Sequence, residues 1–225
     1  MGVALVTGGG RRIGAEICRS LATSGHSLII HYNTSKSESE ALANELRGST
    51  QIATIQADLE NQNECRELLA KATEFFGPIS ILINNASFFE YDNLESFNID
   101  TFNRSIGVNT LAPLILIQAF NGQVPKSGGC IINLLDQKLH NPNPDYLSYT
   151  TSKTAIAGIT EALAIGLAPS IRVNAIAPGL TLPSPHASQS KFEEIHNSTP
   201  LSRGSTPQDI SEAVLFLIGA EAVTG

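Results

Sequence analysis

Charge, cysteine and long apolar runs are all scarce in this chain of 225 residues. Charged residues make up 16% of the chain and sum to a net charge of −7, which disfavours nucleic acid as a partner. No apolar run reaches the roughly 20 residues of a membrane helix, and no signal sequence precedes the first strand-like segment. We therefore expect a cytoplasmic, single-domain globular protein that makes no membrane contact, and composition alone indicates no function.

Metal-ligand and disulfide patterns are missing as well. The three cysteines are odd in number and widely spaced, so they fit neither a disulfide framework nor a zinc site. The histidines also lack ligand spacing, and we expect no metal at any of them: His26, His31, His140, His186 and His196.

What the chain does have is a regular alternation of short apolar segments with longer amphipathic ones. The alternation predicts a parallel sheet with helices on both faces. Strands are predicted at Val3–Thr7, Leu28–Tyr32, Ile52–Gln56, Ile79–Ile83, Cys130–Leu135 and Ile171–Ile176. Helices are predicted at Arg12–Ser24, Ser35–Arg47, Gln62–Phe76, Ser96–Phe120, Ser148–Ala168 and Pro207–Ile218. The fold class is thus α/β, a doubly wound parallel sheet in three αβα layers, with one domain over 1–225.

Two proline-containing stretches depart from this regularity. Pro113 lies inside the helical stretch Ser96–Phe120 and predicts a kink or a break there. The segment 178–207 is rich in serine and proline and is predicted to be irregular. Because a long polar segment within a compact domain is more often functional than a linker, we expect it to form a substrate lid.

A glycine-rich turn, TGGGRRIG, follows the first predicted strand and opens the first helix at residues 7–14. Glycines let the backbone approach a ligand closely, and the helix then presents free N–H groups to a pyrophosphate. A turn that binds nothing is the alternative. The position directly between the first strand and the first helix favours the cofactor site.

Tyr149 and Lys153 are four residues apart on a predicted helix and therefore share one face. An ammonium beside a phenol favours the phenolate, so we expect Lys153 to lower the pKa of Tyr149 and make it a proton donor and acceptor. Asp136 ends the fifth predicted strand, at the sheet edge where ligands bind. A carboxylate there can pass on a proton or accept hydrogen bonds from a nitrogen heterocycle.

These features together make the chain resemble the short-chain dehydrogenase/reductase family, which implies a Rossmann fold. The family turn is Thr-Gly-x-x-x-Gly-x-Gly, and here Arg12 replaces the middle glycine. The segments Asp58-Leu59, Asn84–Ser87 and Pro178-Gly179 match further family motifs, as does Asn109. The resemblance implies that the catalytic residues are Tyr149, Lys153, Asp136 and Asn109.

Within this family the chain is most similar to the pteridine reductase branch. That branch shares the arginine at position 12, the serine at position 87 and an aspartate where most of the family has serine. Its phenylalanine that stacks on the pterin ring corresponds to Phe89. The resemblance implies substrate contacts by Arg12, Ser87, Phe89, Asp136, Tyr149 and Leu180.

The cofactor expected from the resemblance is NADP (NADPH), with NAD less favoured. An acid at the end of the second strand would bind the ribose hydroxyls and repel the extra phosphate, and none occurs at 31–36. Lys36 could contact that phosphate or be merely solvated. Expected cofactor contacts are Gly8, Arg11, Arg12, Ile13, Gly14, His31, Asn33, Thr34, Ser35, Asp58, Leu59, Asn85, Ala86, Ser87, Tyr149, Lys153, Pro178 and Gly179.

The resemblance predicts an NADPH-dependent reductase of a C=N bond in a pterin or dihydrofolate-like substrate. Two alternatives stay open: a carbonyl, 3-oxoacyl thioester or sugar-alcohol oxidoreductase of the same family, and a non-catalytic NADP-binding interaction protein. The family also implies a homotetramer. In the family, Val-Thr-Gly leads into a last edge strand, and this sequence stops at Gly225, so we expect that strand to be missing from it.

Overall fold

The computed structural model describes residues 1–183 and 188–225. In these residues one parallel sheet contains the strands β1 Val3–Val6, β2 Ser27–Tyr32, β3 Ile52–Gln56, β4 Ile81–Asn84, β5 Gly129–Leu134 and β6 Ile171–Ile176. The strand order is β3-β2-β1-β4-β5-β6. The chain thus starts in the middle of the sheet, winds outward to β3 and then crosses back to β4. This reversal leaves a crevice between the ends of β1 and β4, as in other doubly wound sheets.

Helices cover both faces of the sheet: α1 Arg12–Thr23, α2 Lys36–Leu46, α3 Gln62–Phe76, α4 Ile99–Ile106, α5 Ala112–Gln123, α6 Leu147–Gly166, α7 Gln189–Asn197 and α8 Pro207–Gly219. One apolar core joins Leu5 and Ile29 of the strands to Phe120 of α5. The other joins Leu28 to Leu21 of α1 and to α8. Because strand side chains alternate between faces, each strand contributes to both cores. The predicted three-layer α/β fold is confirmed.

The long helix predicted at Ser96–Phe120 is interrupted. Between α4 and α5 the backbone forms a π-helical turn at Gly107–Leu111. Pro113 stands in the first turn of α5 and has no N–H to donate to the carbonyl of Asn109. The break therefore falls directly before the proline, and it places Asn109 in the widened turn, where π-turns often serve functional sites.

The stretch predicted to be irregular, 178–207, contains helix α7. Ser188 caps this helix by accepting a hydrogen bond from the Lys191 N–H at 3.3 Å. Residues 184–187 of the expected lid, with His186 among them, lie outside the described residues.

One edge strand of the sheet is β6, and residues 223–225 run beside it. The N–H of Gly225 donates to the carbonyl of Val173 at 2.9 Å. Among the residues described, no helix combines the length and the apolar character needed to cross a bilayer.

Candidate active site

A cleft of about 690 Å³ opens at the carboxyl ends of the central strands. This volume is within the usual range for small-molecule sites. The cleft is lined by every sequence-predicted site residue except Asn109: Gly8, Arg11, Arg12, Ile13, Gly14, His31, Asn33, Thr34, Ser35, Asp58, Leu59, Asn85, Ala86, Ser87, Phe89, Asp136, Tyr149, Lys153, Pro178, Gly179 and Leu180.

The glycine turn forms one end of this cleft. Gly8 has a φ of +60°, a left-handed conformation that side chains disfavour. A Cβ on Gly14 would lie 2.4 Å from the Gly8 carbonyl oxygen and 2.6 Å from Asn85 Nδ2. Asn85 Nδ2 in turn donates to the carbonyls of Thr7 and Gly8, at 2.9 and 3.0 Å. The turn is therefore packed against the end of β4, with no room for side chains at these glycines.

Arg12 stands where the family pattern has glycine, and its backbone keeps a glycine-like conformation with φ at +54°. Such a conformation costs a residue with a side chain on the order of 1–3 kcal/mol. The guanidinium Nη2 donates to the carbonyl of Pro183 at 3.1 Å. Arg12 thus connects the glycine turn to the loop that follows β6.

His31 supports the glycine turn from within the fold. Its side chain is only 1% exposed. Nδ1 accepts the N–H of Gly8 at 3.1 Å, and Nε2 lies 3.0 Å from the carbonyl of Ala57. Burial lowers the pKa of His31 to about 4, so the ring is neutral, with its proton on Nε2. Both ring nitrogens are engaged by the protein, and a direct cofactor contact by His31 stays a prediction.

Beside the glycine turn, where β2 ends, the cleft is lined by neutral polar side chains and by the carboxylate of Asp58. Asn33 Nδ2 donates to Asp58 Oδ1 at 3.1 Å, and Thr34 and Ser35 line the wall beside them. Lys36 is exposed, lies 3.7 Å from Glu40 and does not line the cleft. This geometry favours a solvent-exposed Lys36 over one that contacts the cofactor phosphate.

Tyr149 and Asp136 meet at the opposite end. Tyr149, in the first turn of α6, is buried, and its hydroxyl donates to Asp136 Oδ2 at 2.9 Å. The other carboxylate oxygen, Oδ1, accepts the N–H of Lys138 at 2.8 Å. These two hydrogen bonds therefore fix the Asp136 carboxylate, with Oδ2 directed at the tyrosine hydroxyl.

The electrostatics of this group differ from the sequence-based expectation. Burial and the Asp136 carboxylate, which also accepts the phenol hydrogen bond, raise the pKa of Tyr149 far above its usual value. Burial lowers the pKa of Lys153 to about 8, and the charge of Asp136 partly opposes this. Lys153 Nζ donates to the Leu134 carbonyl at 2.6 Å and lies 5.7 Å from the centre of the Tyr149 ring. The expectation that Lys153 lowers the pKa of Tyr149 is wrong in this geometry, because burial and the negative charge of the hydrogen-bonded Asp136 both oppose ionisation of the phenol. Tyr149 is accordingly a protonated donor at neutral pH.

Asn109 lies behind the cleft and joins two of its walls. Its Oδ1 accepts the N–H of Phe88 at 2.7 Å, and its Nδ2 donates to Ser152 Oγ at 2.9 Å. The amide thus connects the segment after β4 to helix α6. Its catalytic role stays a prediction.

Asp92 is a residue that the sequence analysis missed. Only 2% of it is exposed, and its Oδ1 accepts the N–H of Ser148 at 3.0 Å. Its Oδ2 accepts the Ser148 hydroxyl. Asp92 therefore binds the start of α6, one residue before Tyr149. No local pattern identifies it, because its partner is 56 residues away.

Tyr146 was missed as well. It directly precedes α6 and its ring stacks on Phe89, with the ring centres 4.4 Å apart. A tyrosine three residues before Tyr149 was the one available signal in the sequence.

The chain belongs to the short chain dehydrogenase family, whose model it matches over residues 2–194. It is 38% identical to a FolM alternative dihydrofolate reductase 1 from Brucella canis, solved in complex with NADP, with a TM-score of 0.93. That match covers 99% of this chain and 89% of the other. The chain is also 30% identical to pteridine reductase 1 of Leishmania tarentolae, over 99% of this chain and 92% of that one. A 3-oxoacyl-[acyl-carrier-protein] reductase, FabG of Staphylococcus epidermidis, is likewise 30% identical, over 99% of this chain and 94% of the relative.

Proposed function

We propose that this protein is an NADPH-dependent reductase that reduces a C=N bond of a dihydropterin or dihydrofolate. The observation that carries the proposal is the hydrogen bond from the Tyr149 hydroxyl to Asp136 Oδ2 at 2.9 Å. It puts a proton donor and a carboxylate beside the same point of the cleft. A nitrogen heterocycle can use both groups, whereas a simple ketone needs only the donor.

The cofactor proposal, NADPH, is supported by the close packing of the glycine turn beside the cleft. Without side chains at Gly8 and Gly14 the turn packs directly against the end of β4, next to the N-terminal end of α1. The end of β2 offers Asn33, Thr34 and Ser35 and no acid that would repel a 2′-phosphate. The Brucella canis structure was solved with NADP. When bound, the nicotinamide supplies the hydride.

Tyr149 supplies the proton in this proposal, and Asp136 receives hydrogen bonds. The raised pKa keeps the Tyr149 proton on Oη until the substrate nitrogen develops negative charge. Asp136 Oδ2 can then accept hydrogen bonds from ring N–H groups, and a proton taken up from water restores the tyrosine hydroxyl. Lys153 and Tyr149 are both buried, which limits the access of water to the reacting groups.

Substrate orientation is assigned to residues on three sides of the cleft. Phe89 is 43% exposed and offers an aromatic face to a flat ring. Arg12 and Ser87 line the cleft at the glycine turn and at the end of β4, and Leu180 lies across from them after β6.

A carbonyl or 3-oxoacyl reductase is the second candidate. The match to the Staphylococcus epidermidis 3-oxoacyl reductase, at 30% identity over 99% of this chain, favours it. The two candidates differ in their need for the Asp136 carboxylate. Reduction of a carbonyl could proceed with a serine hydroxyl at position 136, whereas reduction of the pterin should need the carboxylate.

NADPH oxidation by the purified protein tests the choice. Dihydrobiopterin, dihydromonapterin and dihydrofolate are compared with an acetoacetyl thioester, for the wild type and for Asp136→Ser. We expect turnover of a pterin or folate that Asp136→Ser removes. A matched control is Glu90→Gln, an exposed acid nearby that does not line the cleft. Turnover of the thioester alone, retained in Asp136→Ser, would favour the second candidate instead.

The assembly and location also remain proposals. We infer a cytoplasmic homotetramer from the family resemblance. Light scattering on the purified protein gives the assembly mass directly, and a monomer would contradict the inference.

A further inference from the structure

The ring of Phe89 contacts the rings of two tyrosines. Tyr146 stacks on one face, with ring centres 4.4 Å apart and planes within 13°. Tyr149 meets Phe89 edge to face at 4.7 Å and 87°. Phe89 and Tyr149 line the cleft, and Tyr146 is not among the described residues that do. Tyr146 therefore packs against Phe89 without itself lining the cleft, and Phe89 remains 43% exposed.

Tyr146 is itself in contact with the side chain of Lys138. The Lys138 ammonium is 5.2 Å from the centre of the Tyr146 ring, within the range of cation–π attraction. Nζ donates to Asn143 Oδ1 and to the Asp145 carbonyl, both at 2.6 Å, which fixes the ammonium there. The backbone N–H of Lys138 also donates to Asp136 Oδ1. One short segment, 136–146, thus contains Asp136 and both residues of the stack on Phe89, Lys138 and Tyr146.

The backbone at Tyr146 is strained in a way that serves this stack. Its φ of +56° and ψ of 49° place a large aromatic residue in the left-handed region, immediately before α6 begins. Such outliers persist where the surroundings enforce them, and they concentrate at functional sites. Here the unusual turn coincides with the placement of the ring on Phe89, and Tyr91 packs edge-on against Tyr146 at 5.2 Å.

We propose that Tyr146, backed by Lys138, is a positioning residue that holds the Phe89 ring as a preformed platform for a flat substrate ring. The inference rests on the proposed function, because it assumes a flat heterocyclic substrate. A half-exposed phenylalanine without this support would sample other rotamers, and the substrate would have to order it on binding. Tyr146 removes that cost before the substrate arrives. Its effect should therefore appear in the binding of flat rings and not in hydride transfer or in cofactor binding.

Two substitutions at one position separate the ring from the backbone. Tyr146→Asn removes the aromatic ring and tolerates the left-handed conformation, whereas Tyr146→Phe keeps the ring. The measurements are kcat and KM for the dihydropterin that the wild type reduces best, and Kd for NADPH by fluorescence. Oxidised pterin, titrated by its fluorescence quenching into the enzyme with NADP⁺, reports ring binding without turnover.

We expect Tyr146→Asn to raise the KM for the dihydropterin and the Kd for oxidised pterin on the order of threefold to tenfold, the value of one lost stacking contact. The kcat and the NADPH Kd should change less than twofold. Tyr146→Phe should restore the wild-type KM and pterin Kd.

Wild-type pterin affinity in Tyr146→Asn would overturn the inference and leave the proposed function intact. An equal loss of NADPH affinity in that variant would also overturn it, because the damage would then be general. A wild-type protein that neither binds oxidised pterin nor reduces any dihydropterin would refute the proposed function, and this inference would fall with it.

Discussion

The two ends of the cleft are built on different physical principles. The glycine turn carries the exposed Arg11 and Arg12, but neutral contacts hold its backbone in shape: backbone groups, the Asn85 amide and the neutral imidazole of His31. The opposite end holds Asp136, Tyr149 and Lys153 close together, and burial with mutual charge shifts the pKa values of Tyr149 and Lys153. The first end therefore depends on shape, and the second on the positions of protons. Substitutions at the two ends should therefore affect different measurements: cofactor affinity and stability at the glycine turn, and kcat at the end with Tyr149.

The largest effect is expected for Tyr149→Phe. The substitution keeps the ring and removes the proton donor, so kcat should fall by about 10²–10⁴-fold, the usual contribution of a general acid. The Kd for NADPH, measured by fluorescence titration, should stay within about twofold. A kcat close to that of the wild type would mean that the proton comes from elsewhere. A comparable loss of NADPH affinity would remove the distinction between the two ends.

His31 should give the shape-dependent end its own pH signature, in stability and not in catalysis. The folded-state pKa of about 4 lies below the ordinary value of 6.5, so the unfolded chain takes up the proton first as the pH falls. The stabilisation is fully present above pH 6.5 and is lost progressively toward pH 4. The loss amounts to about 3 kcal/mol of unfolding free energy.

Urea unfolding of wild type and His31→Gln at pH 7.5 and pH 4.5 measures this effect. Glutamine can accept the hydrogen bond of the Gly8 N–H and donate one to the Ala57 carbonyl, but it does not titrate. All other titratable groups are the same in the two proteins, so their contribution to the pH dependence cancels in the comparison. The wild type should lose roughly 2–3 kcal/mol more than the variant on acidification. Parallel losses in the two proteins would show that His31 does not titrate as its burial requires.

Gly14→Ala tests the shape of the turn itself. The new Cβ would lie 2.4 Å from the Gly8 carbonyl oxygen, so the turn must shift. We expect the NADPH Kd to rise at least about tenfold, or 1.4 kcal/mol, while kcat at saturating NADPH changes little. Gly158→Ala on α6 is the matched control, because its Cβ would meet nothing within 4 Å. Unchanged NADPH affinity in Gly14→Ala would contradict the proposed cofactor position.

The sequence predicted the two ends of the cleft unequally well. The glycine turn is a contiguous segment, so Gly8, Gly14 and the start of α1 could be placed from local pattern alone. The Tyr149/Lys153 spacing placed both residues on one helix for the same reason. The direction of the Tyr149 pKa shift could not be predicted, because it depends on burial and on the distance to Asp136. Asp92 was likewise invisible, since its contact with Ser148 forms only when distant segments meet in the fold.

Asp92→Asn should have the smallest effect and act on the proton-dependent end alone. The carboxylate accepts the N–H and the hydroxyl of Ser148 at the start of α6, where a negative charge also interacts favourably with the helix dipole. Asparagine keeps one acceptor oxygen and loses the charge, which should cost about 1 kcal/mol and lower Tm by about 2–4 °C.

Because Tyr149 follows Ser148 directly, we also expect a kcat reduction of a few-fold with NADPH Kd unchanged. Asp100→Asn is the matched control, since Asp100 is an exposed acid in the first turn of α4. It should lower Tm less and leave kcat unaltered. If Asp100→Asn reduced kcat as much as Asp92→Asn, the effect would follow from the loss of any helix-terminal charge. The contact of Asp92 beside Tyr149 would then not explain the lower kcat, and Asp92 would not belong to the proton-dependent end of the cleft.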